Sequence, residues 1–67
     1  MSERKEQLRA GVALLEAAAS MLDQALNEFG GATNELTKAL VRSAAADARG
    51  AAVNAAKEYD RLSAKDA

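Results

Sequence analysis

The sequence predicts an all-α protein: an antiparallel αα-hairpin whose apolar faces call for assembly into a four-helix bundle. Three observations carry that prediction. The 67 residues include no proline, so nothing interrupts a helix by ring geometry. Apolar residues recur at helical spacing through both halves, and the only glycine pair, Gly30-Gly31, stands near the centre. Two arms of nearly equal length joined by a few residues must lie side by side and run in opposite directions.

The first arm is expected over about 2–29. Ser2 is a competent N-cap followed by an acidic residue, Glu3, which suits the positive end of the helix dipole. Leu8, Val12, Leu15, Ala19, Leu22, Leu26 and Phe29 follow one another at spacings of 4, 3, 4, 3, 4 and 3, the seven-residue repeat of a helix that packs along a single seam. A second row, Gly11, Leu14, Ala18, Met21 and Ala25, runs beside it and widens the apolar face to roughly 160°, at about 100° per residue. That is more than one partner helix can cover. Arg9, Glu16 and Asp23 are expected on the opposite, wetted side.

The turn is expected at 30–33, with Gly30 and Gly31 supplying positive φ angles and Phe29 closing that end of the bundle. Thr33 and Asn34 are both competent N-caps for the second arm, expected over about 34–63. Its apolar set, Leu36, Leu40, Ala44, Ala48, Ala51, Ala55, Tyr59 and Leu62, has spacings of 4, 4, 4, 3, 4, 4 and 3. This is nearer an eleven-residue rhythm, which implies a straight or slightly right-handed course. Gly50 costs about 1 kcal/mol in a helix interior, but the strong helix formers around it favour one continuous helix.

Composition narrows the function. Single cores of this size seldom supply more than about 3–5 kcal/mol, and natural examples add disulfides, a metal or a partner chain. With no cysteine and no histidine, the disulfide route and Cys/His zinc sites are closed, and no cofactor is expected. Association with protein is what remains. The same absences remove the ordinary general base near neutral pH and the thiol nucleophile; Ser20, Ser43 and Ser63 have no base beside them in any motif, so an enzyme is not expected. A formal charge of −1 gives no global attraction to nucleic acid or an anionic membrane. No apolar run approaches the ~20 residues of a membrane span, and the start, MSERKEQLRAG, is too polar for a secretory signal. A cytoplasmic chain is expected, with export by a route that uses no cleaved signal left open.

The residues expected at the protein interface are Leu8, Val12, Leu15, Leu22, Leu26 and Phe29 of the first arm and Leu40, Tyr59 and Leu62 of the second. A separate candidate is a basic patch. Lys38, Arg42 and Arg49 fall within about 40° of one another on the second helix, with Val53 just beyond; an acidic partner surface is the docking partner this would fit. A flanking row that serves solubility explains the same pattern. Three cations without interleaved aromatics argue against nucleic acid.

Two stretches resemble a known family. FGGATNELTKALVRSAA is similar to the turn and second-helix start of the small WXG-type helical hairpins exported by type VII secretion, with Phe29 where the tryptophan would stand and Gly31 as the motif glycine. AAVNAAKEYDRLSAKDA is similar to the alanine-rich end of their second helix, where a tyrosine precedes an acidic residue by four; here Ser63 follows Tyr59 at that spacing. The resemblance implies a homodimeric or heterodimeric four-helix bundle and a role as secreted substrate, chaperone or targeting partner. The alternative is an intracellular homodimeric module, an adaptor or a phage-encoded inhibitor.

Overall fold

The computed structural model describes residues 2–66, the side chains of 2 and 66 excepted. Two helices, α1 (Ser2–Phe29) and α2 (Glu35–Asp66), pack against each other as an antiparallel hairpin with principal extents of 51 × 14 × 11 Å. The capping role expected of the Ser2 side chain falls outside the described residues. Gly50 lies inside α2, which runs through it unbroken. The helix also continues three residues past Ser63, because Ala64 and Lys65 are good helix formers and Lys65 places a cation at the negative end of the dipole.

The first-arm seam packs as its spacing predicts. Leu8, Val12, Leu15, Leu22, Leu26 and Phe29 are half-buried and Ala19 is 2 % exposed. The stripe expected on α2 is corrected. Leu36 and Leu40 are 69 % and 62 % exposed, and Ala44 and Ala51 also lie on the surface. The covered row is Val41, Ala45, Ala48, Ala52, Ala55, Tyr59 and Leu62, with spacings of 4, 3, 4, 3, 4 and 3. It is a heptad seam that matches the one on α1, not an eleven-residue rhythm. Ala45 and Ala52, at 2 % and 4 %, join Ala19 as the fully buried residues among those described. Large α1 side chains pack over small α2 ones, so the two backbones draw together around these alanines.

The turn is also corrected. No described residue, glycine included, has a positive φ. The chain instead tightens out of α1 by hydrogen bonds: Gly30 N–H donates to Leu26 O at 2.8 Å, and Phe29 O accepts from the N–H groups of Ala32, at 2.8 Å, and Thr33, at 3.0 Å. Gly30 is needed for a different reason, since a Cβ there would collide with the Leu26 carbonyl oxygen, whereas one on Gly31 would meet open space. Of the two candidate N-caps, Asn34 acts: its Oδ1 accepts from Thr37 N–H at 2.9 Å and its carbonyl accepts from Lys38 N–H at 3.2 Å.

Candidate interaction surface

Because both seams are heptads, the residues flanking them fall into two long sides. One is polar. Arg9, Glu16 and Asp23 of α1 lie along it, facing Arg42, Arg49, Ala56 and Tyr59 of α2. These three α1 residues are therefore beside the seam and not opposite it. Arg49 pairs with Asp23 across the two helices, both side chains about half exposed. At the open end, Arg9 Nη2 donates to Tyr59 Oη at 2.5 Å, and the Tyr59 ring has Arg9 Cζ 5.3 Å and Lys5 Nζ 5.8 Å from its centroid. Such cation–π contacts contribute ~0.5–1 kcal/mol each at exposed positions. A shallow groove of about 250 Å³ runs between Arg9, Glu16, Tyr59 and Asp60 over a floor of Val12 and Ala56.

The expected basic patch lies along this polar side, with much of its charge matched locally. Lys38 Nζ sits 2.8 Å from Glu35 Oε2, Arg49 is bound to Asp23, and Arg42 acts on Glu35 from nearby. The Lys38 hydrogen bond and charge hold the Glu35 carboxyl below its ordinary value of 4.5. Val53 remains exposed in a groove with Glu16, Ser20 and Arg49. The patch is thus a chain of alternating charges with one apolar spot.

The other side is apolar. Gly11, Leu14, Ala18, Met21 and Ala25 of α1 lie along it beside Leu40, Ala44 and Ala51 of α2. A groove shared by Arg4, Gly11, Ala55 and Glu58 shows which flanks of the two helices meet there. Leu14 and Met21 are 71 % and 66 % exposed. Their spacing marked them as part of a face too wide for one partner helix, and the α2 register shows which residues of α2 they stand beside. The Asp23–Arg49 pair was hidden because its partners are flank positions that face each other only when α2 is read from Val41, Ala45 and Ala48.

The residues expected at the interface therefore divide. The α1 seam residues, with Tyr59 and Leu62, are half-buried within the hairpin, while Leu40 stands on the apolar side. Among the described residues no group of three or more acidic, histidine or cysteine side chains could hold a metal ion, and no helix is long and apolar enough to cross a membrane. No protein-family model matches this chain, and no curated protein or solved structure does.

Proposed function

We propose that this chain is a non-catalytic protein–protein interaction module, a helical hairpin that joins a second hairpin to complete a four-helix bundle. One observation carries the reading. Leu14, Met21, Leu36, Leu40 and Val53 are between 53 % and 71 % exposed, while among the described residues the fully buried core consists of three alanines. Large apolar side chains left on the surface in this proportion mark an interface, and a bundle is the assembly that covers hairpins of this shape. The resemblance to WXG-type hairpins supports a secreted substrate or partner of the type VII kind. Ser63 in place of the acidic residue four beyond Tyr59 supports the second reading, an intracellular homodimeric adaptor or inhibitor.

Light scattering over a wide concentration range, with far-UV circular dichroism on the same samples, tests the bundle. The expected result is helix content and a thermal midpoint that rise with association, either with itself or with an added second hairpin. A monomer that is fully helical and equally stable at every concentration would overturn it. Appearance of the protein in culture supernatant, dependent on a type VII system, separates the exported role from the intracellular one.

A further inference from the structure

We infer that the apolar side is covered by a second copy of this chain, related by a two-fold axis that crosses the interface near Ala18 and Ala51, so that the turn of each hairpin lies over the open end of the other. The inference rests on the bundle reading above and names its partner, its face and its polarity.

Area is the first argument. A compact monomer of 7.0 kDa exposes about 4,000 Å². The hairpin exposes 4902 Å², an excess of about 900 Å² over that scaling. A standard interface removes ~800 Å² from each partner, so one such contact brings the chain to the surface expected of its mass. Of the two long sides, the polar one carries the cross-helix pairs Asp23–Arg49 and Arg9–Tyr59. On the apolar side the α1 row Gly11, Leu14, Ala18, Met21 and Ala25 carries no charge and stands beside Leu40, with Leu14, Met21 and Leu40 exposed, and its glycine and alanines allow close helix approach.

Charge selects the partner and its direction. Along the apolar side, the half nearer the turn carries Glu28 and Asp47, both exposed and both negative. The half nearer the open end carries Arg4, Arg61 and Lys65 against a single Glu58. The face is therefore negative at one end and positive at the other by equal amounts. Such a face is complementary to itself when reversed and repels itself when two copies align turn over turn. In the reversed arrangement α1 crosses α1 of the other copy, and Leu14 of each meets Met21 of the other around the axis.

The test is sedimentation equilibrium of the full chain together with a cysteine cross-link. The wild type is expected at twice 7.0 kDa. The double variant Leu14→Glu/Met21→Glu should weaken the dimer at least ~100-fold, because each charge would be buried unpaired in the contact. Ala13→Glu, an exposed position on the polar side, should leave the dimer intact. In a chain without other cysteines, Ala18→Cys should cross-link to itself under mild oxidation, since only the reversed arrangement brings residue 18 to its own copy. A double variant that stays dimeric, or a dimer in which Ala18→Cys joins Ala51→Cys but not itself, would overturn the inference while leaving the bundle reading standing. A wild-type monomer that is only partly helical would overturn it too, and would assign the bundle to a different chain. A fully helical, stable monomer would end both.

Discussion

The two helices bring opposite materials to one seam. α1 supplies Leu8, Val12, Leu15, Leu22, Leu26 and Phe29, while the middle of α2 supplies Ala45, Ala48, Ala52 and Ala55, with Val41, Tyr59 and Leu62 towards its ends. A large row against a small one fixes the spacing of two helices as well as two equal rows would, but it distributes the energy unevenly. Each leucine lost from α1 removes apolar area directly. Each alanine enlarged on α2 forces the backbones apart. The asymmetry teaches that α1 carries the hydrophobic stabilisation of the hairpin and α2 carries its geometry.

The sharpest way to break this comparison is Leu22→Asp, which sets a charge into the α1 row. A loss of about 2–4 kcal/mol is expected, enough to unfold a chain of this size; an unchanged thermal midpoint by circular dichroism would contradict the assignment. Ala52→Leu probes the α2 row. Overpacking should cost about 1–3 kcal/mol, and a stabilised variant would show that the seam has room to spare.

Smaller changes sharpen the contrast at the ends and outer face of α2. Asn34→Ala removes the cap that receives Thr37 N–H and should cost ~1 kcal/mol, read as a lower midpoint in a urea titration. Gly50→Ala, with open space where its Cβ would stand, should gain ~0.5–1 kcal/mol; a loss would mean that the outer face of α2 is occupied. The smallest effect is the pH dependence of Glu35. Its folded pKa is depressed by Lys38, so the carboxylate contributes stability that is present above the unfolded value and lost as pH falls through the lowered one. Glu35→Gln should lower the thermal midpoint slightly at pH 7, where the carboxylate contributes, and flatten the profile below pH 4.5, where variant and wild type converge.

The fold class, the two arms and the α1 seam were legible because leucine at heptad spacing has one physical interpretation. The α2 face was only half legible. Ala48, Ala55, Tyr59 and Leu62 belong both to the expected stripe and to the observed seam. Leu36 and Leu40 drew the expectation away from Val41 and Ala45, since large apolar side chains are ordinarily taken as inward. In a helix where alanine occupies every face, size no longer reports direction. Only pairing with α1, seen at Ala19 and at Asp23–Arg49, resolves it. The apolar side inherited that ambiguity, for its exposure depends on which α2 row is covered. The turn failed differently: a glycine pair suggests left-handed backbone, whereas Gly30 is required by the nearness of the Leu26 carbonyl.

The short connection between Phe29 and Glu35 has a consequence for how weak the seam can be. Two helices held by so brief a link meet each other at an effective concentration in the millimolar range. An alanine row that would hold separate peptides together poorly pairs far more readily under those conditions, which eases the demand for leucines on the inward face of α2. Cutting the backbone at Gly31, where the surroundings are open, would remove that advantage without touching a single seam residue. The two halves would then find each other only at peptide concentrations comparable to the one the link had provided.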